Sequence, residues 1–407
     1  MNTNPSFLSR RPWAAAVALG TMALFTACGG GGGGGGSNGG ALSVSLTDAQ
    51  TCDYKDVFVT VETVGVHRSA TAADADSGWE ELVLSPPLRV DLMTLSNGVL
   101  ENLGTLPLDP GNYQQVRLRL AGNAGGPPYA NQLRLADDTV VALDTPSAQQ
   151  SGLKLRVNMT IEAGQTSELI LDFDPCKSVV RRGNSGHYNL KPVITAYFEE
   201  VNAIDGYTLP GAVVSAQQNG VNLKGTVADP TSGRFVLWPI ELGTYDVVIT
   251  AEGRANAVLT GVAVVADPDG SPSTTVVSLE ATPLTPPAGA SGIVAGDVTT
   301  NLEALVVTVA ARQTLSGGPT IEVAAIPISV SSSDANNVND YSFTLASGQP
   351  AKAAWVPGTT AYTFVTDAAV DGDYTIRAAA VGFTTQTQAT DIAAADDLEV
   401  DFQFDAP

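Results

Sequence analysis

Residues 115–122 read QVRLRLAG, and the spacing of their apolar side chains decides the fold. Val116, Leu118 and Leu120 fall on one face of an extended chain and Arg117 and Arg119 on the other, the period of a half-buried strand. The same alternation runs through LSVSLTDA (42–49), YKDVFVTVETVGVHR (54–68) and SELILDFD (167–174), where Leu169, Leu171 and Phe173 point inward. Turn formers stand between these runs: Ser96-Asn97-Gly98, Asp109-Pro110-Gly111, Gly125-Gly126-Pro127-Pro128 and Gly183-Asn184-Ser185-Gly186. Many short strands at this spacing predict antiparallel sandwiches or barrels. With 41 Gly and 24 Pro, and an apolar set leaning on Val, Ala and Leu, composition also favours strands and turns over long helices. A chain of 407 residues has room for about two to four such domains.

The N-terminus carries a second, independent signal. Arg10 and Arg11 precede PWAAAVALGTMALFTA, an apolar run too short to span a bilayer, followed by Cys28 and eight glycines. A positive flank, an apolar middle and small residues before a break describe an export signal. The stretch Leu24-Phe25-Thr26-Ala27-Cys28 resembles the lipobox of bacterial lipoproteins, with Phe25 where that motif prefers leucine. The resemblance implies cleavage after residue 27 and acylation of Cys28. Gly29 in the following position is similar to outer-membrane rather than inner-membrane lipoproteins. Residues 28–41 then form a lipidated, Gly-rich tether that behaves as a coil, about 20 Å in r.m.s. reach. Two or more acyl chains give lasting attachment where one holds weakly.

The formal charge of −22 becomes −24 once Arg10 and Arg11 leave with residues 1–27. So acidic a surface repels phosphate backbones and argues against nucleic-acid partners. It serves solubility, with a cationic partner or Ca²⁺ as the alternatives. Two cysteines remain after Cys28. In an exported chain the pair Cys52 and Cys176 reads as a disulfide, against two free buried thiols. No CxxC spacing or histidine cluster accompanies them, so the thiols do not read as metal ligands.

SVSLTDAQTCDYKDVFVTVETVGVH, GWEELV, VDLMTLSNG, LPLDPGNYQQVRLRL, TPSAQQSGLKL and LILDFDPCKSVVRRGNSGHYNLKPVI follow in order over residues 42–197. Together they resemble the bacterial lipoprotein domain known as domain-of-unknown-function family 4382. That implies a β-rich envelope domain without established activity, placed here at 42–200. Beyond it, residues 201–407 carry 6 basic and 22 acidic side chains and an internal repeat. FVLWPIELGTYDVVITAEG from Phe235 and FVTDAAVDGDYTIRAAAVG from Phe364 share Phe, Val, Gly, Tyr, Ala and Gly in register at an offset of 129. The first copy, with LPGAVVSA before it, resembles the carboxypeptidase-regulatory-like module, a transthyretin-like, carbohydrate-binding-like β-sandwich, over 201–282. A Pro-rich linker at 283–287 leads to a diverged second copy at 288–407.

Few groups invite chemistry. Ser151 and Lys154 fit S-x-x-K, but GLKLRVNMTIE alternates like a strand, which would turn Lys154 away from Ser151, and no K-T-G follows. His67 and His187 sit in strand-like runs without a second histidine at ligand spacing. Asp267 and Asp269 open like a Ca²⁺ loop, yet position 12 is Ser278, and Asp367, Asp371 and Asp373 crowd one turn. These five are the candidate Ca²⁺ ligands, against the plainer reading of solvated turn residues; no other cofactor is expected. Trp238, Trp355 and Tyr362 are candidate sugar-stacking aromatics, against core filling. Fold resemblance alone does not carry a ligand.

The expectation is an all-β chain: signal, lipidated Cys28, Gly tether and three tandem antiparallel β-sandwich-type domains. It reads as an outer-membrane lipoprotein, a non-enzymatic binding or scaffold protein for carbohydrate or an envelope protein. An envelope hydrolase with its site in 42–200, or a pure spacer, are the alternatives.

Overall fold

The computed structural model describes residues 39–48, 52, 54–145, 151–183, 185–198, 201–332, 340–393 and 397–405. The expected signal, Cys28 and most of the expected tether lie outside the described residues; Gly40 and Ala41, expected in the tether, belong instead to a strand paired with Leu108 and Pro107. The fold is all-β, as the alternation requires, and its strands group into three modules.

In the first module one sheet runs in the order Val193–Phe198, Thr166–Asp174, Gly40–Asp48, Glu101–Leu108, with the second and third strands parallel. A second sheet is built around the long strand Tyr54–His67, which pairs with Glu80–Asp91, Gly111–Leu120 and Gln132–Leu135. Between them Leu42, Val44, Leu46, Val116, Leu118, Leu120, Leu169, Leu171 and Phe173 are buried, the inward faces the alternation predicts. Arg117 also lies on the face predicted for it, yet it is only 2% exposed. The segment 68–79 folds back over it and lays the Trp79 ring 3.9 Å from its guanidinium carbon.

The second module stacks a sheet of Arg234–Ile240, Asn202–Tyr207 and Thr274–Val276 on one containing Val221–Val227, Val213–Gln218, Gly243–Thr250 and Ala257–Val264. Ile204, Phe235, Leu237, Val247 and Leu259 fill the space between. The third packs Ser291–Thr300 and its partners over Leu305–Thr314, Thr320–Val330, Asp373–Ala380 and Gln386–Asp391, around Val309, Tyr341, Ile376 and Phe402.

The expected domain limits need correction, because strands cross them. Ala351–Ala354, inside the expected third domain, pairs in parallel with Ala257–Val264, and Val365–Thr366 extends the same sheet. The expected linker is packed as well: Leu284 is buried with its N–H on Tyr207 O, and Pro287 O accepts from Ala255 N–H. Val179–Arg182 of the first module pairs in parallel with Thr320–Val330 of the third, Arg181 opposite Ile328, so one twelve-stranded sheet spans both. Residues 38–407 accordingly form one compact unit. The repeat shows where the copies part. Tyr245 and Tyr374 are both buried and both donate their hydroxyl to a backbone carbonyl, Glu241 O at 2.9 Å and Ala346 O at 2.7 Å. Phe235 fills its own module's core, whereas Phe364 packs against the second module's core instead of the third's.

Candidate functional site

The sequence candidates do not converge on a catalytic arrangement. Ser151 sits in the turn before the strand Leu153–Ile161, not at a helix start. Lys154 is ion-paired with Asp74 and donates to Ala72 O at 3.0 Å. The bonded ammonium holds the Asp74 carboxyl below its ordinary range. His67 takes the Ser69 N–H on Nδ1 at 2.9 Å and faces Ser77 O with Nε2 at 3.1 Å. Those two partners select the Nε2–H tautomer and fasten the segment that covers Arg117. His187 lies exposed at the hairpin end of its strand, His187–Leu190.

The three aromatics do not share one setting. Trp238 is half-buried and donates from Nε1 to Val201 O at 3.3 Å. Trp355 and Tyr362 pack with Phe364 against the core of the second module, the core-filling use of large rings. Tyr362 additionally borders an open recess of about 740 Å³ with Thr260, Gly318, Lys352, Val356 and Val365. Its hydroxyl is bound to Thr359 O at 2.7 Å, and Lys352 Nζ to Ser316 O at 2.6 Å.

The acidic turns are occupied by their own chain. Asp269 Oδ1 accepts from the Ser271 N–H and hydroxyl, and Asp367 accepts from Ser316 N–H, Ser316 Oγ and Ala369 N–H. Asp267 and Asp269 belong to a loop of the second module, and Asp367, Asp371 and Asp373 to the segment leading into Asp373–Ala380 of the third. Among the described residues no three acidic, histidine or cysteine side chains come together as a metal site. The five candidate Ca²⁺ ligands thus lie in two separate turns, and groups of their own turns or of Ser316 take the oxygens of Asp269 and Asp367.

Cys52 and Cys176 form a disulfide. Cys176 lies in the single helical turn Pro175–Ser178, capped by Asp174, whose Oδ1 accepts the Lys177 N–H at 2.9 Å. This turn opens onto a place where all three modules meet, and there the unexpected chemistry lies. Lys177 Nζ reaches Asp174 at 2.9 Å and Asn222 O of the second module at 3.0 Å. Beside it, Asp172 of the first module and Lys224 of the second face each other at 2.8 Å with side chains 5% and 3% exposed. From the third module, the backbone of Glu322 is clasped by the Gln217 amide, which accepts from its N–H at 2.9 Å and donates to its O at 2.6 Å. Burial pushes the Asp172 carboxyl up and the Lys224 amine down. Asn97 adds a second tie, donating to Val227 O at 2.5 Å and accepting from Val236 N–H at 3.1 Å.

Sequence reasoning missed Asp172, Lys224 and Glu322. The alternation places Asp172 on the outward face of SELILDFD, and nothing local says that another module covers that face.

Glu322 yields a prediction. Burial raises its carboxyl above the ordinary 4.5, with Lys177, Arg312 and Arg377 pulling the other way. The native state therefore holds its proton more tightly than the unfolded chain, and stability from this group is lost as pH rises above that range. Glu322→Gln is expected to melt close to the parent at pH 4 and several degrees higher at pH 8, as read by thermal denaturation at both values. A variant that melts lower at pH 8 would contradict this.

No curated protein sequence matches the chain. Among solved structures it is similar to a type II cohesin–X-dockerin complex from Acetivibrio cellulolyticus, at 22% identity over 22% of this chain and 58% of that one, TM-score 0.17. This chain thus spans 58% of that structure's chain. It is also similar to a candidate adhesin from Bacteroides ovatus, at 12% identity over 51% of this chain and 93% of that one, TM-score 0.17. A third is the major pilin subunit of Bacillus cereus, at 12% identity, 90% and 99% coverage, and TM-score 0.15. Residues 39–192, which make up most of the first module, match the family described as "Domain of unknown function (DUF4382)".

Proposed function

We propose that the chain is a non-enzymatic cell-envelope lipoprotein that holds a rigid, acidic β-scaffold off the outer membrane for a carbohydrate or protein partner. The fusion of the modules carries this reading: shared sheets join the first to the third and the second to the third, and buried polar contacts join the first to the second. A loosely strung set of binding domains would move at its linkers; a body with continuous sheets transmits position. Lys154 is taken up by Asp74 and Ala72 O, and His67 by Ser69 N–H and Ser77 O, which favours scaffold over hydrolase. The anchor would be acyl groups on Cys28, and the Gly-rich run from Gly29 up to the strand that begins at Gly40 the tether.

Cys28→Ser expressed in the native host is expected to leave the washed membrane fraction almost entirely and appear in the soluble fraction, followed by immunoblot. Retention on the membrane would remove the lipid anchor from the account. The hydrolase alternative has its own check. Labelling by a serine-reactive fluorophosphonate that disappears in Ser151→Ala would replace the scaffold reading by an enzymatic one.

A further inference from the structure

Lys224 and Asp172 are held from both sides by regular backbone. Asp172 lies within Thr166–Asp174, between strand neighbours opposite Thr47 and Thr195; Lys224 lies in Val221–Val227 opposite Ala216. The paired strands fix both backbones, and side chains only 5% and 3% exposed have little room to turn, so amine and carboxyl are held at 2.8 Å. Two opposite charges out of water carry a desolvation penalty that their attraction offsets only in part. Passing one proton along the hydrogen bond leaves an amine facing a carboxylic acid and removes both charges. Burial drives both groups toward that neutral pair. These are also the reactive forms: a free amine is a nucleophile, and a protonated carboxyl, unlike a carboxylate, is an electrophile. Asp48 and Asp174, both buried, and Lys177 are the other charged groups acting on the pair, and Tyr197 faces Asp172 from the neighbouring strand.

We propose that Lys224 and Asp172 condense to a side-chain amide, a covalent bond between the first and second modules made by the folded chain itself. The Lys224 Nζ lone pair attacks Cγ of Asp172 and forms the N–C bond. The nitrogen then loses a proton, which a neighbouring buried carboxyl, Asp48 or Asp174, relays to the hydroxyl on Cγ. The C–O bond breaks and one water leaves; nothing is oxidised or reduced. Fixed geometry replaces an encounter in solution by an intramolecular step. The product is a neutral amide in a site that disfavours both ions, and the departing water is lost to bulk.

The test uses the full chain purified from membranes, reduced, alkylated and cut with trypsin. An acylated lysine resists trypsin, so residues 183–234 should stay uncut at Lys224 and carry 157–177 as a branch. That branched peptide should be lighter than its two parts together by one water, about 18 Da, as an amide condensation requires. Lys224→Arg keeps a cation, which cannot acylate because its guanidinium stays protonated. This variant, folded by circular dichroism, should release 157–177 unbranched. Free 225–234 at full yield from the parent chain would overturn the proposal, as would a branch on 157–177 that survives in Lys224→Arg.

Discussion

Replacing Cys52 and Cys176 together by serine is expected to lower the free energy of unfolding by about 4–5 kcal/mol, the chain-entropy figure for a loop of this size. The bond closes a sequence separation of 124, and that loop contains nearly all of the first module's second sheet. Without it the unfolded chain regains the freedom of the whole loop, whereas the native sheets lose few contacts. The folded state also feels the change, because Cys176 sits in the capped turn Pro175–Ser178 from which Lys177 reaches Asn222 O. Loosening that turn frees an ammonium that bridges two modules, so the loss should lie toward the upper end of that range. Urea unfolding of the parent and the double variant, fitted for midpoint and slope, measures it. A midpoint shift equivalent to less than about 1 kcal/mol would show that the first module is held by its core alone, with the bond a bystander.

How far the sequence could be read follows from the range over which each signal acts. Period-two alternation is local, so strand identity and inward faces were legible: Val116, Leu118 and Leu120 pack inward as their spacing requires. The disulfide was legible too, from an even pair of cysteines behind a stretch that reads as an export signal. What failed was long-range. Alternation says that Asp172 points away from the core of its own sheet, and it does. It cannot say that Val221–Val227 of the next module covers that outer face, which turns an ordinary solvent position into one 5% exposed. The repeat misled for a similar reason. Identity at Phe235 and Phe364 suggested equal roles, but the longer middle of the second copy lets Ala351–Ala354 and Phe364 reach back to the second module. Trp355 and Tyr362 travel with that segment, so part of their surface that could have faced a ligand packs on a neighbouring core. Arg117 was read on the right face, but its cover comes from a loop whose fold depends on His67 and Trp79.

The same junction gives the second large effect. Lys224→Ala and Asp172→Ala should each destabilise the chain by about 3–5 kcal/mol, because each leaves one buried ionisable group without its counterpart. Their pH dependences should run in opposite directions. In Lys224→Ala the surviving Asp172 carboxyl is raised above its ordinary 3.8 by burial, so the native state binds the proton more tightly and stability falls as pH rises through that window. In Asp172→Ala the surviving Lys224 amine is lowered from its ordinary 10.5, the unfolded chain binds the proton more tightly, and stability climbs as pH rises toward that value. The first variant should therefore recover in acid and the second in alkali. Lys224→Met combined with Asp172→Leu removes both charges at similar volume and should regain most of the electrostatic loss. It cannot regain the covalent tie, so its urea midpoint should stay below that of the linked parent. A double variant as stable as the parent would mean that the pair contributes only its charges, and parallel pH slopes in the two single variants would mean that the two side chains do not share one buried site.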